Sequence, residues 1–295
     1  MKAVRFHEYG GPDVLRYEDV EVPVPGAGQV LLRVAGTSFN GVDANIRGGF
    51  MQGPIPVELP HTPGIDVAGT VEALGDGVDN VAVGDRVIGF LPMTGAGASA
   101  EYVIAPAEVL TAAPTTIPLA DAAALPTVGL TAWQALFEHA KLTAGQRILI
   151  NGAGGAVGGY AVQLAGNAGA QVIAKGSPRS SAATEETIEP VDVVLNLAPV
   201  EPEQLGALVT LIRDGGTLVN TTVWMPAPSD DKRGVTGINM FVRSDAQELA
   251  QLVTQVDAGQ LRVDIAERVP LAELPALHAR AAAGELPSGK ITVTL

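Results

Sequence analysis

The chain is 295 residues long, 47% hydrophobic and 17% charged, with a formal net charge of −14. That length accommodates two domains, and in an acidic chain without Lys/Arg clusters phosphate-backbone binding would work against the field, so no nucleic-acid partner is expected. Cysteine is absent, which excludes disulfides, thiol nucleophiles and cysteine-ligated zinc; His7, His61, His139 and His278 are scattered, so no metal site is expected. In chain order, the first hundred residues read as short strands broken by Gly/Pro turns: 2–6, 14–20, 29–35, 68–74, 86–90 and 100–104. Few helices fit there, and the segment reads as a partly closed β-barrel. From Pro118 the character changes, with Ala-rich helical segments at 121–124 and 131–140. Strands at 148–150, 172–174, 191–197, 217–221 and 235–242 then alternate with helices at 203–213 and after Ser244, which is expected to cap a helix ended by Gly259. The tail returns to the first domain through 262–269, a helix around 271–283 and a closing strand 290–295. The predicted division is therefore 1–117 with 261–295, and 118–260. No apolar run reaches membrane-spanning length and the first residues lack a signal-peptide core, so a soluble cytoplasmic protein without a membrane partner is expected.

Residues 148–175, ILINGAGGAVGGYAVQLAGNAGAQVIAK, carry the most information. An apolar run ends in a glycine cluster, a helix-period segment follows, and a second apolar run closes the unit. Strand, tight turn, helix and strand make the βαβ unit that holds a dinucleotide, because small residues admit a pyrophosphate and a helix start offers unpaired N–H groups. A tight strand-to-helix turn without a ligand is the plainer alternative. The expected contacts are Ala153, Gly154, Gly155, Ala156 and Val157. An NAD site places an acidic residue at the end of the second strand. Here Lys175, Ser177 and Arg179 stand there and no acid precedes Glu185, so NADPH is the expected cofactor, with a solvated cationic turn as the alternative. Between Ala174 and Val191 a helix and a third strand are expected, yet only KGSPRSSAATEETIEP is present, so that region is shortened or missing.

Several further motifs stand in order along the chain. The opening MKAVRFHEYGGPDVL, the run TSFNGVDANIRGG, the PG-x-D-x-AG-x-V turn at Pro63–Gly69, VGDRV, G-x-x-A-E-Y and LP-x-x-x-LTAW all precede an AxGxxG loop at Ala153, Gly155 and Gly158. Together they resemble the zinc-free quinone oxidoreductase (zeta-crystallin-like) branch of the medium-chain dehydrogenase/reductase superfamily, over essentially the whole chain. The resemblance implies an α/β fold: an N-terminal GroES-like partly closed barrel, a doubly wound Rossmann domain, and a C-terminal return to the first domain.

The resemblance also implies site residues. Asn40 is placed near nicotinamide and substrate, its amide donating to the acceptor oxygen. Asp43 and Arg47 read as an ion pair or turn support. Phe50 and Met51 form a soft wall for a planar acceptor or pack in the core. His61 lines the cleft or is a hydrogen-bonded turn residue. Thr127, Leu197, Ala198, Thr221, Phe241, Val242 and Lys290 are cofactor neighbours by position, Lys290 alternatively pinning the closing strand. No tyrosine lies between Tyr17 and Tyr102, so the tyrosine proton donor of some relatives has no counterpart there. Strand 235–242 is expected to pair with its copy in a homodimer, since an apolar edge is a hazard in a monomer. The leading expectation is a reductase passing hydride from NADPH to a quinone or similar small, planar, conjugated, apolar acceptor. The alternatives are an NADPH-dependent enal/enone (enoyl) double-bond reductase and a non-catalytic NADPH-binding structural or sensor protein.

Overall fold

The computed structural model describes residues 1–176, 189–222 and 225–295. The elements run β1 (Lys2–Phe6), β2 (Leu15–Asp19), β3 (Gln29–Ser38), α1 (Gly41–Arg47), β4 (Asp66–Leu74), β5 (Arg86–Phe90), β6 (Tyr102–Pro106), β7 (Leu110–Ala112), α2 (Leu119–Ala122) and α3 (Pro126–Trp133). They continue with β8 (Arg147–Asn151), α4 (Ala156–Asn167), β9 (Gln171–Lys175), β10 (Val191–Asn196), α5 (Pro202–Thr210), β11 (Ile212–Asn220), β12 (Thr236–Asn239), α6 (Ala246–Asp257), β13 (Ile265–Pro270), α7 (Leu274–Ala282) and β14 (Lys290–Thr294). Two compact units result: one from 1–127, 244–259 and 263–295, the other from 128–243 and 260–262.

In the first unit the sheet order is β13-β14-β3-β4-β5-β7, β6 pairs with β3, and β1 and β2 form a separate ribbon. Strands alternate because every second side chain meets the core. Val30, Leu32 and Val34 of β3 enter a core with Val67, Val71 and Val103. A second core gathers Val4, Phe6, Ile46, Met51, Leu277 and Val293, which ties the chain's tail to its start.

Three expectations change here. Helix α1 forms where few helices were expected; GVDANIR has weak intrinsic propensity, and burial of Ile46 in the core, with the Gly64 amide bonded to Asp43, supplies what propensity does not. β7 was missed because three residues carry no readable period. The cap of α6 is Asp245, whose carboxylate accepts from Gln247 N (3.0 Å) and Glu248 N (2.9 Å), while the Ser244 hydroxyl donates to Phe90 O at 2.9 Å.

The second unit is a five-stranded sheet of order β12-β11-β10-β8-β9, parallel throughout. β10 is buried along its whole length, as strands covered on both faces are. Leu149, Val194 and Leu218 meet Leu205, Leu208 and Val209 of α5 in one core. The chain steps from β8 to β9 on one side and then to β10 on the other, so the order reverses between β8 and β10. Ligands of such sheets bind at that switch point, outside the carboxyl ends of the strands.

The helix expected over 203–213 stops at Thr210, and Arg213 lies in β11, because the chain must turn before pairing with β10. The helix expected over 131–140 starts earlier, at Pro126, and passes into a π-turn over Gln134–His139. The strand expected over 235–242 shortens to Thr236–Asn239, leaving Phe241 and Val242 beyond it; β12 is a sheet edge. Residues 177–188, where a shortened or missing third strand was expected, lie outside the described residues, as do Ser177 and Arg179.

Candidate functional sites in the two units

The glycine turn of the second unit links β8 to α4. Gly152 adopts φ +95°, a left-handed conformation that favours glycine. A Cβ on Gly158 would lie 2.3 Å from Gly152 O and 2.6 Å from Ala153 C, so only glycine lets the helix pack onto the turn. Ala153 and Gly154 complete the turn. Gly155 is the N-cap of α4 and brings no side chain to it, leaving the first N–H groups, at Ala156 and Val157, to an external acceptor. A pyrophosphate suits those N–H groups in charge. The backbone carbonyl of Lys175 holds the turn, accepting from Gly152 N (2.8 Å) and Ala153 N (3.1 Å); its side chain is exposed at the end of β9. No carboxylate stands at that strand end among the described residues.

Other expected neighbours of a dinucleotide lie at the same ends of the strands. Leu197 N donates to Asn151 O, and Thr221 donates from N and Oγ to Asn196 O. Ala198 O accepts from Asn196 Nδ2 at 3.1 Å. Phe241 is 66% exposed. Buried Gln134 grips the adjacent Arg243 backbone, donating to its O at 3.0 Å and accepting from its N at 3.1 Å. A cavity of about 230 Å³ opens among Asn220, Thr222, Met225, Pro226, Asn239, Met240 and Phe241.

The first unit buries a polar cluster. Asp66 is fully enclosed; its Oδ1 accepts from Thr127 N (2.7 Å) and Thr127 Oγ (2.6 Å), and its Oδ2 from Ser38 Oγ and Asn40 Nδ2 (2.9 Å). Lys290 Nζ lies 3.3 Å from Asp66 Oδ2 and donates to Asn40 Oδ1 (2.5 Å) and Phe39 O (3.1 Å). Burial pulls the Lys290 ammonium down from its ordinary range, against the attraction of Asp66. Asp43 accepts from Gly64 N at 2.8 Å through Oδ1, while its buried Oδ2 meets no donor. Desolvation pushes this carboxyl up to about 7, the nearby Asp66 adding to the rise.

The structure thus brings Asn40, Thr127 and Lys290 together around Asp66. Asn40 caps α1 by position, yet its amide serves Asp66 and Lys290 instead of the helix. Lys290 is 2% exposed and pins the closing strand to α1's approach. Asp43 and Arg47 form no ion pair: Asp43 faces Gly64, and Arg47 donates to His278 Nδ1 at 3.3 Å. The Gly64 amide captures the carboxylate, and burial keeps the imidazole neutral, with a pKa lowered to about 3, so that it can accept. Met51 is core, whereas Phe50 is 69% exposed, so the two do not form one wall. His61 is held by its backbone, exchanging N–H···O bonds of 2.9 Å with Phe6, and its ring meets the Phe6 ring edge-on at 5.3 Å. Asp66 itself was not singled out, although it sits inside the PG-x-D-x-AG turn. A lone acid among small residues before a buried strand was the signal.

The alcohol dehydrogenase GroES-like domain family matches residues 26–115, and the zinc-binding dehydrogenase family matches residues 168–293. A chloroplast envelope quinone oxidoreductase homolog from Arabidopsis thaliana is 41% identical over 180 residues, 59% of this chain and 55% of that protein. The chain spans about half the length of the curated relatives it matches. The solved quinone oxidoreductase of Coxiella burnetii is 28% identical, with a TM-score of 0.89 over 100% of this chain and 99% of that one. A mycobacterial protein solved in complex with NADPH is 25% identical, with a TM-score of 0.84 over 100% of both chains. Zinc does not fit the donor set: the chain has no cysteine, and the described residues hold no His/Asp/Glu group able to bind a metal ion. The glycine turn does fit a dinucleotide. Two family matches in sequence order, on an α/β fold with a parallel sheet and a glycine turn, make this chain similar to the medium-chain dehydrogenases/reductases.

Proposed function

We propose that the chain acts as a zinc-independent, NADPH-dependent reductase whose acceptor is a quinone or a similar planar, conjugated, apolar molecule. The observation that carries the reading is the β8–α4 turn, with its uncapped helix start and with Lys175, not a carboxylate, ending β9. The quinone oxidoreductase relatives support the acceptor class, and the NADPH-complexed neighbour supports the cofactor.

In this reading Gly152 to Val157 hold the pyrophosphate through backbone N–H groups. Lys175, with Ser177 and Arg179, receives the 2′-phosphate. Leu197, Ala198 and Thr221 border the cofactor, and Phe241 and Val242 its nicotinamide end. In the first unit Asn40 and Thr127 supply the cofactor-facing polar groups and Phe50 and His61 the acceptor side, while Lys290 holds Asn40 from behind and Met51 packs in the core. When bound, NADPH supplies the hydride. The protein's share is to orient and to exclude water, with an acceptor oxygen polarised by hydrogen bonds. For Asn40 to do so, an N–H must turn from its inward partners, Asp66 and Ser38. We propose a cytoplasmic homodimer, with the free edge of β12 as its seam.

Steady-state turnover of benzoquinones and of alkenals, with NADPH and NADH and with product analysis, tests the reading. Quinol formation with NADPH preferred is expected. Saturated aldehydes as the sole products would assign the chain to enal/enone reduction. Tight NADPH binding without turnover of either would assign a structural or sensor role. Arg179→Ala should raise KM for NADPH and spare NADH; equal effects on both would remove the 2′-phosphate assignment. A monomer mass by light scattering at micromolar concentration would remove the dimer.

A further inference from the structure

In the second unit each of four neighbouring parallel strands ends in asparagine: Asn151 on β8, Asn196 on β10, Asn220 on β11 and Asn239 on β12. They are in register, Asn151 opposite Asn196, Asn196 opposite Asn220, and Asn220 opposite Asn239. Their amides form a directional chain. Asn151 Nδ2 donates to Asn196 Oδ1 (2.7 Å), Asn196 Nδ2 to Asn220 Oδ1 (2.8 Å), and Asn220 Nδ2 to Asn239 Oδ1 (3.5 Å). The backbone repeats the pattern: Leu197, Thr221 and Met240 donate their N–H to the carbonyls of Asn151, Asn196 and Asn220.

The two interior amides also hold their own loops. Asn196 Nδ2 donates to Ala198 O at 3.1 Å; Asn220 Nδ2 donates to Thr222 O (3.1 Å) and Met225 O (2.8 Å). A primary amide has the acceptor to receive one rung and two donors: Asn196 spends them on the next rung and its loop, whereas Asn220 spends both on its loop and touches Asn239 only through a shared, long contact. Stacked amides of this kind lock strands in register. Burying them is costly unless every group is paired, and Asn196 is 0% exposed. The first rung, Asn151 to Asn196, spans the switch point where the strand order reverses.

We infer that this asparagine ladder is a positioning device for the dinucleotide, with Asn196 its central positioning residue: it sets the loops after β8, β10 and β11 in one register. The inference rests on the reading of this unit as an NADPH site. Its ligand contacts are made by the loops, and the ladder acts through them.

The test measures NADPH binding by fluorescence and steady-state kinetics with a benzoquinone, with circular dichroism and thermal unfolding as the check on folding. Asn196→Ala should raise Kd and KM for NADPH about tenfold, while kcat at saturating NADPH stays within about threefold. A second measurement is a double-mutant cycle between Asn151→Ser and Asn220→Ser. These side chains lie two strands apart, about 10 Å, and are joined through the Asn196 amide. Their effects on Kd should depart from additivity by more than about threefold. An unchanged Kd in folded Asn196→Ala, or a fall in kcat with KM unchanged, would overturn the inference. So would additivity within the cycle, which decides alone if Asn196→Ala fails to fold. A wild-type chain that binds neither NADPH nor NADH would remove the functional reading together with the ladder's role. Wild-type binding with indifferent variants would remove the ladder's role only.

Discussion

The two units bury polar groups in opposite ways. The first encloses charge: Asp66, Asp43 and Lys290 share one cluster at the meeting of β3, α1, β4 and β14. The second encloses neutral amides, Asn151, Asn196 and Asn220, at the strand ends. A buried charge must be paired and is held in a balance that protons can tip, whereas an amide needs only its hydrogen bonds and titrates nowhere. Neutral amides also avoid setting a carboxylate beside a polyanionic cofactor. The first unit's stability should therefore follow pH, and the second unit's strand ends should ignore it.

The largest effect should come from Asp66→Ala. It leaves Lys290 as a buried cation without its carboxylate and removes the acceptor that Ser38, Asn40 and Thr127 share. A loss of about 3–5 kcal/mol in urea unfolding is expected. A loss below about 1 kcal/mol would mean that the cluster is not held by its charge.

Next is Gly158→Val in the second unit, whose Cβ would meet the Gly152 carbonyl at 2.3 Å. Overpacking against backbone should cost about 2–3 kcal/mol and abolish NADPH binding. No titratable group touches the change, so the loss should be equal at pH 5 and pH 8. A pH-dependent loss would blur the contrast between the units.

Asp43→Asn sharpens the contrast from the other side. The folded carboxyl titrates at about 7, above its ordinary 3.8, so the native state holds a proton that the unfolded chain has released. Its contribution is full below about 3.8 and is lost as pH rises through about 7. Asparagine keeps the acceptor for Gly64 N and removes that loss. The variant's urea midpoint should therefore gain on wild type between pH 5 and pH 8; a constant difference would refute the buried-carboxyl account.

The smallest effect is expected at His61. Burial lowers its pKa from 6.5 to about 4, so on acidification the unfolded chain takes the proton first. Wild type should lose stability as pH falls from about 6.5 to about 4. His61→Phe, whose ring can keep the edge contact with Phe6, should flatten that slope in thermal scans across the same window.

Much of this was legible in the sequence for identifiable reasons. β5 was located at its observed bounds because Gly and Asp turns flank an apolar run. The glycine turn was legible because a change of apolar period coincided with small residues. Asn40, Thr127 and Lys290 were named from the resemblance, yet their common partner was not. Asp66 binds them by pairing β4 with residues distant in the chain, and no local pattern encodes such a meeting. The asparagine ladder was half visible, since ILIN, VVLN, TLVN and GIN each end an apolar run in asparagine. Their alignment depends on strand register and order, which the runs do not specify. α1 was missed because GVDANIR is a helix made by burial more than by propensity.

By itself the sequence determined the class of the chain: alternating strands and helices, a glycine turn at a period change, no cysteine for a zinc site, and motifs in a family's order. These are local or compositional properties, and local chemistry suffices to write them. Only the tertiary structure decided which polar groups share a burial. It divided them into a charged cluster in one unit and an amide ladder in the other, because strand order and register bring together side chains that sequence distance keeps apart.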